Sequence, residues 1–155
     1  MATEPNHEAA SRSHRLQPAT RRPSEHQAFT ALCHHAARSI DATLTGVTSA
    51  SVTPNFHTIG IAHTRHHIAV LRHTTVPFIA FARPQAPGDV TVAFVDHPDL
   101  AVAITNLTDA QVLTVEQLRT PLSQVDLSAL DPYEHDQITY WKPMSVGELL
   151  FNFWD

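Results

Sequence analysis

Histidine is the residue type best equipped for chemistry in this chain, and the stretch His63-Thr64-Arg65-His66-His67 holds three of its 12 histidines. If the backbone turns at Thr64-Arg65, His63 opposes His66 across an antiparallel pair. In a register shifted by one, His63 opposes His67 and His57 opposes His73. Either arrangement puts two Cβ atoms about 5 Å apart, which suits two ligands on one metal ion. A tetrahedral site needs a third and usually a fourth protein ligand, and no neighbouring Cys, Asp or Glu supplies them. The expectation is a titrating surface cluster with no bound metal.

Three further constellations carry chemistry-capable side chains. Cys33-His34-His35 resembles a thiol beside its base, yet adjacent helix positions point about 100° apart, so neither imidazole reaches the sulfur. Cys33 reads instead as a small core residue. In Asp96-His97 the carboxylate precedes a proline, which gives it a complete structural role as a helix cap. Glu134-His135-Asp136 follows Asp131-Pro132 and reads as a solvated acidic loop. With only 4 glycines in the chain, no phosphate-cradling loop, dinucleotide fingerprint or nucleophile elbow can be assembled. No catalytic residue, metal ligand or cofactor is therefore assigned.

Charge is partitioned along the chain. Residues 1–27 carry a balance of +1, residues 28–83 carry +3 with seven histidines, and residues 84–155 carry −9. An acidic surface of that kind attracts basic partners by long-range steering and repels nucleic-acid backbones. Asp126, Asp131, Glu134 and Asp136 are the candidate partner-binding residues.

The elements that must position these groups follow from periodicity. Residues 1–23 are rich in proline and polar side chains, cannot offset their ordering entropy, and read as a disordered tail. Ser24 caps a helix whose apolar stripe is Phe29, Leu32, Cys33, Ala36, Ile40 and Leu44, with Gly46 as its stop. The period then changes to two over Phe56–Ala62, Ile68–His73, Phe78–Arg83 and Val90–Val95, with short connections that demand antiparallel pairing. Pairing partners whose numbers sum to 129, 151 and 173 in the three hairpins puts Ile59, Ile61, Ile68, Val70, Ile79, Phe81, Val92 and Phe94 on one face. The reverse face is apolar but built of small side chains, chiefly alanine. A solvated sheet face is normally polar, so something packs closely there.

Helix starts are expected at Asp96-His97-Pro98-Asp99, Thr114-Val115-Glu116-Gln117 and Ser145-Val146-Gly147-Glu148, with a short strand over Ile138–Trp141. The closing Phe151, Phe153 and Trp154 are expected to dock on the small-residue face rather than stand in water.

The fold class is thus α+β: an N-terminal helix on a four-stranded antiparallel meander, then a helical and looped C-terminal third, with residues 24–155 as a single domain. A formal charge of −5 and 43% hydrophobic residues exclude a histone-like binder and a wholly disordered chain. No run approaches the roughly 18 apolar residues of a membrane span. With no apolar leader and a single cysteine, the expected setting is the cytoplasm. Nine arginines against one lysine suit a GC-rich bacterial genome. The expected function is a protein-binding module, of inhibitor or immunity type, that meets a basic partner and neither nucleic acid nor membrane. The rival readings are a small enzyme or metal protein using the His/Arg-rich middle, and a subunit that self-associates through the alanine-rich face.

Overall fold

In a computed structural model, residues 24–48, 55–86, 88–89, 91–128 and 132–152 are described. The expected tail at 1–23, together with Val90, Asp131, Phe153 and Trp154, lies outside the described residues. The architecture is α+β: an antiparallel sheet with the N-terminal helix and the helix Pro98–Thr105 on one face, and the chain from Leu113 to Phe151 packed on the other.

Helix α1 (Glu25–Ser39) opens on the expected cap. Ser24 Oγ accepts the Gln27 N–H at 3.1 Å, and Gln27 Oε1 accepts the Ser24 N–H at 3.0 Å. The helix stops well short of Gly46. Asp41 takes φ 58°, a left-handed conformation that a short polar side chain tolerates, and Thr43–Thr48 then forms strand β1. The run Thr-Leu-Thr-Gly-Val-Thr is rich in β-branched residues and finds the open edge of the sheet, so strand pairing overrides the helical spacing of Leu44. Leu44 still packs against the core beneath α1.

Strands β2 (Phe56–His63), β3 (His66–His73) and β4 (Phe78–Ala82) pair in the expected registers. Ile59 lies opposite Val70, His63 opposite His66, and Val70 opposite Phe81. Their shared face is sealed by Phe29, Cys33, Ala36 and Ala37 of α1 and by Leu100 and Ile104. Val70 and Ile59 are fully buried.

The next strand departs from expectation. β5 is only Phe94–Val95, and it pairs Phe81 with Val95 and Ala82 with Phe94. The partner numbers sum to 176 instead of 173, an odd shift that exchanges the two faces. Val95 turns toward the first core, whereas Val92 and Phe94 join the alanine-rich face. That face, walled by Ala69, Ala80 and Ala82, leaves room for a large ring, and Phe94 takes it.

The C-terminal third supplies the rest of the cover. Helix α2 (Pro98–Thr105) leads to β6 (Gln111–Val112), which pairs parallel with β4 beside β5. Helix α3 (Val115–Leu118), a 3-10 turn (Leu122–Gln124), helix α4 (Pro132–Trp141) and helix α5 (Val146–Leu150) follow. Leu113, Leu118 and Phe151 pack with Phe56, Ala69, Leu71, Ala80 and Ala82 into a second core. Phe151 meets the rings of Phe56 and Phe94 edge-on, each at 5.9 Å. The end of this segment is tied to the start of β2, because Asn152 N–H donates to Asn55 Oδ1 at 3.0 Å and Asn55 N–H donates to Asn152 O at 3.2 Å. The chain thus buries Ala69, Leu71, Ala80 and Ala82 of its own small-residue face, while Thr58 and Gly60 line a pocket of about 320 Å³ that stays open beside them.

Two local expectations change. His97, not Asp96, caps α2: its Nδ1 accepts the Leu100 N–H at 3.1 Å. Asp96 Oδ1 instead accepts the Val115 N–H at 2.9 Å, at the start of α3. Ile138–Trp141 is helical, not a strand. Pro132 presets the first turn of α4, and i to i+4 bonds such as Trp141 Nε1–H to Gln137 Oε1 at 3.0 Å support its last.

Candidate functional site

Two regions hold the residues singled out by sequence, at opposite ends of the charge gradient. The first is the β2–β3 turn. His63 and His66 are paired by register, but the contact His63 makes is with His97, 34 residues away, at 3.1 Å between Nδ1 and Nε2. The tautomers follow from the partners. His97 Nδ1 accepts from Leu100, so its proton sits on Nε2 and is donated to His63 Nδ1. In neutral His63 the ring proton then lies on Nε2. A cavity of about 780 Å³ lies here, lined among others by His63, Arg65, His66, His67, Asp96 and His97. Arg65, His66, His67 and Asp96 are exposed. Among the described residues no three His, Cys, Asp or Glu side chains converge as a metal site.

Cys33 is fully buried in the first core, and desolvation pushes its thiol up to about 12. It is therefore a thiol at neutral pH and no nucleophile. His34 and His35 point to solvent from the same helix.

The second region is the acidic end. Asp126 is exposed in a turn, where Ser128 holds its carboxyl below the usual carboxylate range; the Ser128 N–H donates to Oδ1 at 2.9 Å. Asp131 is outside the described residues. Glu134 and Asp136 are exposed, and the structure brings them onto one helix instead of a loop.

What sequence reading missed is the character of that helix. None of the ten residues of α4 is buried. At about 100° per residue, Tyr133, Asp136 and Tyr140 share one stripe, with Glu134 on the flank toward Trp141. Tyr133 is 66% exposed, Tyr140 75% and Trp141 40%, and Met144 just beyond is 75% exposed. The Tyr140 and Trp141 rings stack edge-on at 5.0 Å. The signal was present as Tyr133 and Tyr140 seven residues apart, hidden by reading 138–141 as a strand.

No protein-family model, curated protein or solved structure matches the chain. Among the described residues no helix is long and apolar enough to cross a membrane. The pair His63–His97 has both Nδ1 atoms committed, one to the helix cap and one to the other ring. That is a structural arrangement first. Helix α4 buries none of its ten residues.

Proposed function

We propose that this protein is a protein-binding module that recognises a basic partner through helix α4 and the acidic segment around it. The observation that carries the reading is a ten-residue helix with no buried residue and two tyrosines more than 60% exposed on one stripe. Short helices draw their stability from burying a face, so a helix bare on its aromatic side is suited to burying it on binding. Tyrosine, tryptophan and methionine are the side chains enriched at interface centres. Asp136 within the stripe and Glu134 on its flank add the negative field, with Asp126 and Asp131 preceding them in the chain. Such a surface would occlude a basic cleft on another protein, which is the use an inhibitor or immunity protein makes of it. It also disfavours nucleic acid. Cytoplasmic residence and bacterial origin are part of the same proposal.

The test is co-purification from the native host followed by measured association with the captured partner. Replacing Tyr133 and Tyr140 by alanine should weaken binding at least about tenfold, mainly through faster dissociation. Reversing Glu134 and Asp136 to lysine should slow association and flatten its dependence on salt. Binding unchanged in both variants, together with an activity lost on substituting His63 or His97, would replace this reading with chemistry at the His63–His97 cleft.

A further inference from the structure

A second cleft, of about 770 Å³, opens between the end of β4 and the C-terminal helices. Its apolar wall includes Phe94, Leu118, Trp141 and Phe151, and its cations are Arg83 and Arg119. Among the described residues neither guanidinium makes an ion pair or a hydrogen bond. The backbone of each is nonetheless fixed. Arg83 N–H donates to Ala93 O at 2.9 Å, and Arg119 N–H closes α3 by donating to Val115 O at 2.9 Å. The wall is equally firm, because Gly147 packs against two of its residues: a Cβ there would meet Phe94 Cε2 at 2.5 Å and the Leu118 carbonyl at 3.1 Å.

Arg119 is one of only two cations in residues 84–155, against eleven carboxylates, yet it lines the cleft instead of joining an ion pair. The single carboxylate there, Glu148, is occupied locally: its Oε2 accepts the Met144 N–H at 3.3 Å and lies 3.4 Å from Ser145 Oγ. The lining therefore carries two free forked cations beside aromatic surface. Guanidinium forks match the geometry of an oxyanion, and the volume lies in the range of small-molecule sites.

We infer that this cleft binds a small molecule with a carboxylate on a flat aromatic body, the ring against Phe94 and Trp141 and the oxyanion between Arg83 and Arg119. This goes beyond partner binding, and its test uses no protein partner. Titrating the full chain with 2-naphthoate, followed by amide chemical shifts, should give saturable changes at Ala93, Phe94, Arg119 and Gly147. The dissociation constant should be on the order of a millimolar or tighter. Arg119→Ala should weaken binding about tenfold, and Arg83→Ala similarly, because each removes a charge-assisted contact. Both side chains are exposed, so an unchanged amide spectrum without ligand certifies the fold of each variant. Neutral 2-naphthalenemethanol should bind at least about tenfold more weakly than the acid. The inference fails if no saturable change occurs up to about 10 mM. It also fails if the neutral analogue binds equally well, or if the double arginine variant binds 2-naphthoate as tightly as the parent.

Discussion

Stability should fall between neutral and mildly acidic pH because of one histidine at the end of β3. His73 Nδ1 accepts two backbone donors of the following turn, Thr75 N–H at 3.1 Å and Val76 N–H at 3.2 Å. Protonating that nitrogen would break both bonds. Burial first, and the neighbouring Arg72 guanidinium second, bring His73 down from 6.5 to about 4. The folded state thus binds this proton less readily than the unfolded chain. Its contribution is complete above the unfolded value of 6.5, declines as pH falls, and is gone below about 4. That gap corresponds to about 3 kcal/mol, which partial exposure of the ring screens to roughly 1.5–2 kcal/mol. His57 is lowered in the same direction, by desolvation and then by His26, and adds to the slope.

The control is His73→Asn. Asparagine carries an acceptor at the position of Nδ1 and does not titrate. It loses the edge-on contact of the ring with Phe151 at 6.3 Å and should be about 1 kcal/mol less stable at pH 7.5. Urea midpoints followed by circular dichroism from pH 7.5 to 4 should show the parent losing its advantage over the variant as pH falls. Parallel pH profiles for the two proteins would refute the account, because carboxylate protonation common to both would then explain all the acid sensitivity.

Other perturbations test the packing and the clusters. Gly147→Ala should cost roughly 2–4 kcal/mol in urea unfolding, since the new methyl meets a packed ring and a backbone carbonyl; a neutral result would show that α5 is not seated as described. Gly60→Ala should be milder, because its Cβ meets the Thr45 hydroxyl, which can rotate away. Val70→Asp places an unpaired charge at a fully buried site and should abolish cooperative folding by circular dichroism, the cost being comparable with the whole stability of a domain. Elemental analysis of the purified chain should find far less than one transition metal per molecule. One metal per chain, lost on substituting His63 and His66, would overturn the reading of the turn cluster as metal-free.

The sequence by itself determined the central sheet. Alternation with period two specifies which residues share a face, and a slip of one residue would have turned Ile59, Val70 and Phe81 to the wrong side, so β2, β3 and β4 allowed a single consistent register. Caps at Ser24, Thr114 and Ser145 were equally legible, because a hydroxyl satisfying a free amide three residues on is a local event. Other features depended on distant partners. β1 exists because β2 offers it an edge, and local spacing alone favoured helix there. β5 shifted by an odd step because the alanine-rich face leaves space that Phe94 and Phe151 fill together, a condition set by residues more than fifty positions apart. His97 took the cap that Asp96 was expected to hold, while Asp96 turned to α3 and His63 found His97. The exposure of α4 was beyond sequence reading altogether. A helix's own periodicity says which residues share a stripe, and only the packed fold decides whether anything remains to cover it.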